Sequence, residues 1–347
     1  MDKRFNVIFE NIQINKLIVD NNTFQFLNVN RVTLNNKYLT NLQRKYNQNS
    51  TRAEWFFSFQ NVNEVNISNL ILDNSNQQSL SFSSMISASN VKDFIISNLT
   101  FQNSNIFYLI EIFKVQNFEI RDLQIINCQQ ATTNMNTYIL SIIGVASSTF
   151  SNIFITQNSN LLFIYETSKF RENGTSYFLE TDNFQINNFQ ISQNVLYLSN
   201  SSQVSVQSSF CSFNNITYQN NQGNFFITLS QSLLIQNSLF QHNTGLNGGA
   251  LALSQCSNLI LIKNTIFQFN QAFASGGAIY LENVGAQIQM DNFVKINQNQ
   301  ALIGGGVRLF NNQPNLPQSL NFNYKSIIFD NNAQLFGKNV GRFLKRQ

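Results

Sequence analysis

The sequence predicts an all-β fold, a right-handed parallel β-helix with about three short strands per coil and roughly ten coils. Three observations predict it. The stretch "FQHNTGLNGGALAL" (240–253) returns as "FQFNQAFASGGAIYL" (267–281) and again as "INQNQALIGGGVRLF" (296–310). The glycine pairs recur at a fixed interval, Gly248 to Gly276 to Gly304, 28 residues each time. Around them, apolar residues alternate with polar ones and are rich in β-branched and aromatic types, which reads as strand and not helix. Parallel strands joined by crossovers give the right-handed sense.

Taken in chain order, the same unit extends upstream of the glycine pairs. "KLIVDN" (16–21) and "RVTLNN" (31–36) open the series. "NLILDN" (69–74), "NLTFQN" (98–103), "DLQIIN" (122–127), "NIFITQN" (152–158), "NFQISQN" (188–194) and "NITYQN" (215–220) continue it. "NSLFQHN" (237–243), "NTIFQFN" (264–270) and "KSIIFDNN" (325–332) complete it. From 69 to 264 the starts lie 22–30 apart, with one gap of 36. Each unit has a second alternating stretch just upstream, and the glycine-bearing units have a third after the Gly pair ("ALAL", "AIYL", "GVRLF"). One unit cannot bury its apolar face, but stacked units bury a continuous core at the ~4.8 Å strand spacing.

The recurrent Asn residues, Asn243, Asn270 and Asn299 among them, are expected at turns. Asn tolerates positive φ better than any residue except Gly, and stacked amides can donate to one another. The pairs Gly248/Gly249, Gly276/Gly277 and Gly304/Gly305 are expected at a corner that needs unusual dihedrals or close backbone approach.

Composition narrows the function classes. Phe occurs 34 times and apolar residues make up 43%, enough for a core and against a disordered Asn/Gln-rich chain. Charged residues are only 11% and the net charge is +4, with no basic stripe of the kind nucleic acid requires. Cys128, Cys211 and Cys256 form no CxxC, so they read as buried free thiols. His242 is the single histidine, which removes His-based metal clusters and argues against a Ser-His-Asp triad. No apolar run approaches the ~18 residues of a membrane span. The start shows no secretory h-region. No cofactor or metal is expected.

The segments "FQHN…NGGAL" and "FQFN…SGGAI" resemble the FxxN and GGA[ILV] repeats of chlamydial polymorphic outer membrane proteins and related pectin-lyase-like β-helix proteins. Similar Asn- and Gln-rich repeat proteins occur at the surfaces of ciliates, and "NNAQLFGKNVGRF" (331–343) looks like the sequence with which such repeats end. Both motifs are complete only over about 240–310. The resemblance implies a β-helix fold and a surface setting, extracellular or at the cell surface within a larger protein; it brings no catalytic residues. Residues 1–347 themselves include neither an autotransporter barrel nor a cysteine-rich or membrane-spanning tail, a departure from the family pattern.

The domain expectation is one continuous solenoid over 1–343 with a basic tail, 344–347. Loops are expected near 37–55, 165–178 and 311–319, where insertions leave the coil corners. The first gathers Arg44, Lys45, Arg52 and Trp55, residue types enriched at binding hot spots, and is the candidate partner loop. For catalysis on polysaccharides the best pairing is Asp20 with Asp73, two coils apart at about 9.6 Å, the limit for an inverting pair. The directions of Glu111, Glu119, Glu166 and Glu180 decide whether an acidic groove exists. Seven N-x-[ST] sequons, at Asn21, Asn49, Asn66, Asn98, Asn173, Asn200 and Asn215, match what chance supplies in so Asn-rich a chain. The reading is a structural or adhesive repeat module, with a carbohydrate-binding or carbohydrate-cleaving β-helix as the alternative. Expected partners are surface glycans or proteins, with end-to-end stacking on further coils of a longer protein.

Overall fold

The computed structural model describes residues 5–14, 17–19, 24–40, 42–44, 55–73, 84–103, 105–106, 108–130, 138–143, 145–156, 162–166, 170–172, 175–177, 183–192, 204–207, 210–311 and 327–342. The fold is an all-β parallel solenoid of the right-handed type. Its contacts gather into two compact units, Met1–Asp182 and Asn183–Gln347.

In the first unit six levels lie in parallel register: Asn6–Ile14, Arg31–Thr40, Glu64–Asp73, 93–102, 117–126 and Ser147–Thr156. Each level bends once. In Glu64–Asp73 the buried positions are Val65 and Ile67, then Leu70 and Leu72. The alternation skips one residue at Asn69, which has φ 52°. A left-handed residue turns the chain and shifts the side-chain phase, so both halves send their apolar residues inward. Asn11, Asn36, Asn69, Asn98, Asp122 and Asn152 occupy that corner, all at positive φ. Their amides stack: Asn36 Nδ2 donates to Asn11 Oδ1 at 2.9 Å, Asn69 to Asn36 at 3.0 Å and Asn98 to Asn69 at 2.8 Å. Left-handed backbone costs an ordinary residue roughly 1–2 kcal/mol, and Gly escapes it. Asn69→Ala is therefore expected to lower unfolding free energy by about 1–2 kcal/mol in urea titration, with Asn69→Gly within about 1 kcal/mol of wild type.

A second column runs through Phe24–Leu27, Trp55–Gln60, 84–89 and 108–113. Between the columns the interior is filled with rings. Phe26 stacks on Phe59 at 5.2 Å, and Phe59, Phe94, Phe118 and Phe150 continue upward at 5.7–5.8 Å. Such ring pairs add to the area they bury.

The register corrects the expected coil boundaries near the start. Arg31 lies opposite Glu64 and Lys37 opposite Leu70, so "RVTLNN" is the first half of a level whose second half is "KYLT". "KLIVDN" is not a further level of this column; Leu17–Val19 pairs with Leu42–Arg44 in a separate two-stranded sheet. Residues 37–44, expected in a loop, are therefore mostly strand.

In the second unit the levels are Asn183–Ser192, Phe210–Gln219, 232–241, 259–268, 287–297 and Ile328–Phe329. A neighbouring column stacks Val204–Gln207, Phe225–Thr228, Leu251–Ser254, Ile279–Glu282, Val307–Phe310 and Val340–Arg342. The stretch between each FxxN and its glycines is also a strand. Thr244–Asn247, Gln271–Ser275, Gln300–Ile303 and Asn332–Phe336 form their own four-stranded parallel sheet.

The glycines form a column at the corner after this sheet. Gly248, Gly276 and Gly304 have φ 73°, 67° and 65°. Gly249 N donates to Gly276 O at 3.1 Å and Gly277 N to Gly304 O at 3.0 Å.

Candidate functional site

The Asn of each FxxN step is not at positive φ. His242, Phe269, Gln298 and Asp330, one residue earlier, take the left-handed conformation at 53°, 55°, 56° and 52°. That turn points Asn243, Asn270, Asn299 and Asn331 into the solenoid, where all four are buried. Each Nδ2 donates upward to the next Oδ1: Asn221 to Asn243 at 3.1 Å, Asn243 to Asn270 at 3.0 Å, Asn270 to Asn299 at 3.0 Å, Asn299 to Asn331 at 2.9 Å. The second N–H of each goes down to a main-chain carbonyl, as Asn270 to Phe240 O at 3.0 Å. Each Oδ1 also accepts the backbone N–H of the Asn below, as Asn299 accepts Asn270 N at 2.9 Å. The amide, with two N–H donors and an oxygen that accepts twice, meets every bond that a place in the column requires. These residues hold the fold together and leave no polar group over for a ligand.

The displaced turn residues are exposed. His242 stacks on Phe269 at 4.9 Å, and Phe269 is 42% exposed. On the adjoining short sheet, Leu246, Phe273, Leu302 and Leu335 form an apolar ridge over four consecutive levels, with Phe273 57% and Leu335 69% exposed.

Of the candidate partner loop, Lys45 and Arg52 lie outside the described residues. Arg44 ends a strand opposite Val19, and Trp55 opens a strand opposite Ser84. Lys37 departs furthest from a solvated loop. It stands at the inward position whose equivalents above are Leu70 and Leu99, and it is 4% exposed. Its stem lines an apolar cavity with Phe9, Phe24, Phe26, Leu34 and Phe57. Its Nζ curls back to donate to Asn35 O at 3.0 Å. Burial lowers its pKa, partly countered by Glu10. The region 165–178 contains an antiparallel hairpin, Phe170–Glu172 with Thr175–Tyr177. Residues 312–319 of the third expected loop lie outside the described residues.

Among the carboxylates, Asp20 and Glu180 lie outside the described residues. Asp73 stands over Thr40, and its oxygens accept Gln102 Nε2 at 2.8 Å and Asn103 Nδ2 at 3.2 Å. Asp122 accepts Asn152 Nδ2 at 2.7 Å, and Asp93 accepts Asn117 Nδ2 at 2.7 Å. These aspartates serve as acceptors within the amide ladders. Glu119 pairs with Arg121, whose Nη2 donates at 2.8 Å and whose pKa is raised by that bond. Glu111 lies opposite Ser87 and Ser141, and Glu166 ends the strand Leu162–Glu166.

One carboxylate pair escaped the sequence reading. Glu64 and Asp93 lie directly opposite each other on adjacent levels, with Arg31 below Glu64 donating to it from Nε at 2.8 Å and from Nη2 at 2.6 Å. Aligning "NEVNIS" with "VKDFIIS" 29 residues on brings the two acids together.

Cys128, Cys211 and Cys256 are free and buried, and burial pushes the Cys256 thiol up to about 11. Among the described residues no group of three or more His, Cys, Asp or Glu side chains could hold a metal ion, and no helix is long and apolar enough to cross a membrane. No protein-family model, curated protein or solved structure matches this chain.

Proposed function

We propose that this chain is a non-enzymatic structural or adhesive β-helix repeat module, a segment of a larger cell-surface or secreted protein. The observation that carries the reading is how the polar side chains are used. Amides bond to amides from level to level, and Asp73, Asp93 and Asp122 take Asn-like places within those ladders. Polar groups committed to stacking serve the fold and are not left free for catalysis. The apolar ridge of Leu246, Phe273, Leu302 and Leu335 supplies contact surface of a kind that monomeric proteins rarely leave bare. The likeness of the FxxN and GGA[ILV] steps to chlamydial polymorphic outer membrane protein repeats, and to pectin-lyase-like β-helices generally, supports the surface setting.

A second reading, binding or cleavage of a carbohydrate, has one observation in its favour: the outward pair Glu64 and Asp93 on adjacent levels. Carboxylates one strand step apart, about 4.8 Å, approach the separation of a retaining glycosidase pair. The ion pair to Arg31 and the amide of Asn117 already occupy them.

Two measurements separate the readings. Beads coated with the folded chain are expected to be retained on cells or glycan-coated surfaces and released by soluble chain. Incubated with a panel of neutral and acidic polysaccharides, the chain is expected to generate no reducing or unsaturated ends beyond those of the heat-unfolded protein. Steady release of ends that disappears in Glu64→Gln replaces the first reading with the second.

A further inference from the structure

The sheet face next to the glycine corner carries a buried cation with no counter-ion among the described residues. Arg308 lies in Val307–Phe310, with Tyr280 on the level below and Gly341 on the level above. It is only 4% exposed, and its Nη1 is buried without a hydrogen-bond partner. The guanidinium carbon sits 5.4 Å from the centre of the Phe336 ring, a cation–π contact. Tyr280 below stacks against Phe310 at 6.5 Å and 21°. Glu282, two residues along the strand from Tyr280 and opposite Phe310, forms no ion pair with Arg308.

Burying a guanidinium costs a protein dearly unless a partner answers its N–H groups. Here the Phe336 ring stands beside the group, and nothing among the described residues answers Nη1. Desolvation accordingly pulls the Arg308 pKa down, while burial pushes the Tyr280 phenol up to about 12. Arg presents its N–H groups as a planar fork that fits carboxylate geometry.

We propose that Arg308 anchors a binding site for a small organic carboxylate, whose acid group meets the guanidinium edge and whose apolar body lies against Tyr280 and Phe336. The single positive charge matches a monoanion, since no second cation joins Arg308 in contact with these rings among the described residues. A residue this little exposed offers no broad macromolecular surface. The site is independent of the adhesive reading and stands or falls separately from it.

Benzoate is the test ligand, with benzamide as its neutral counterpart and inorganic phosphate as the anion without an apolar body, all at constant ionic strength. Benzoate is expected to raise the melting midpoint of the full chain saturably, whereas benzamide and phosphate leave it unchanged. Arg308→Met is expected to abolish the benzoate response and to melt no lower than wild type, because an apolar stem replaces a buried unpaired charge. Arg308→Lys keeps the charge without the fork and is expected to weaken benzoate at least 10-fold, which keeps the test open if the Met variant fails to fold. Glu282→Gln is expected to bind benzoate as wild type does. The proposal is overturned by no saturable benzoate response in the folded wild type, or by an equal response to phosphate. It is also overturned by an unchanged response in Arg308→Met or Arg308→Lys, or by a gain of 10-fold or more in Glu282→Gln, which would make Glu282 the native counter-ion.

Discussion

Asn270→Ala is expected to cost about 3–5 kcal/mol of unfolding free energy, read as a lower urea midpoint. Truncation removes one amide and strands several partners. Asn299 Oδ1 loses its bond from Asn270 Nδ2, and Phe240 O loses the other amide N–H. Asn243 loses the acceptor for both its backbone N and its Nδ2, at 3.1 and 3.0 Å. All these groups are buried, and each unsatisfied one costs roughly 1–3 kcal/mol before relaxation. Water can enter the space left behind and recover part of that, which keeps the total below the simple sum. The comparison that isolates the ladder is Phe269→Ala one residue earlier. Phe269 is exposed, so its truncation removes only surface packing on His242 and is expected to shift stability by less than about 1 kcal/mol. Equal losses in the two variants would show that the corner, not the amide column, holds these coils together.

The contrast between these neighbours also marks how far the sequence could be read. The 28-residue spacing, the strand alternation and the recurrent Asn led to stacked parallel coils because each rests on local chemistry repeated many times. The roles of individual residues depended on phase, which local chemistry states weakly. Phe269 reads as core and Asn270 as turn, yet one left-handed residue exchanges them. Lys37 reads as surface, but the phase shift at Asn36 carries it to the position filled by Leu70 and Leu99 above. Glu64 and Asp93 are 29 residues apart and meet only through register. The stretch before each Gly pair looks like a spacer, since its inward residues are small: Gly245, Ala272, Ala301 and Ala333. Small inward residues let this narrow sheet lie close to the core, and they carry little hydrophobic signal. Arg308 was equally silent, because an arginine between two apolar residues at a strand edge gives no sign of being buried.

Gly277→Ala is expected to be the most disruptive single-methyl change in the second unit, costing about 3 kcal/mol or more and lowering the melting midpoint by several degrees. Gly277 does not need positive φ; its constraint is space. A methyl there runs into Gly305 O on the next level and stands 2.7 Å from Gln300 N and 2.8 Å from Gln300 C. All three are backbone atoms, so no side chain can swing aside. Relief requires the coils to separate, which lengthens the bonds from Gly277 N to Gly304 O and from Gln300 N to Asn270 O, now 3.0 and 2.9 Å. The damage therefore reaches the amide ladder, since Asn270 and Asn299 depend on the same spacing. Gly276→Ala, beside it, fails for a different reason: at φ 67° the added Cβ is strained by the backbone conformation as well as by Ile279 O. Asn tolerates that φ, so Asn at 276 is expected to recover part of the loss seen with Ala, whereas Asn at 277 recovers none. Hydrogen exchange should show lost protection at Gln300 and at residue 277 in Gly277→Ala, with the first unit unchanged. Full protection at Gln300 would mean that the coils accommodate a methyl group without moving apart, and the close approach of backbone to backbone would then not be what demands the second glycine of each pair.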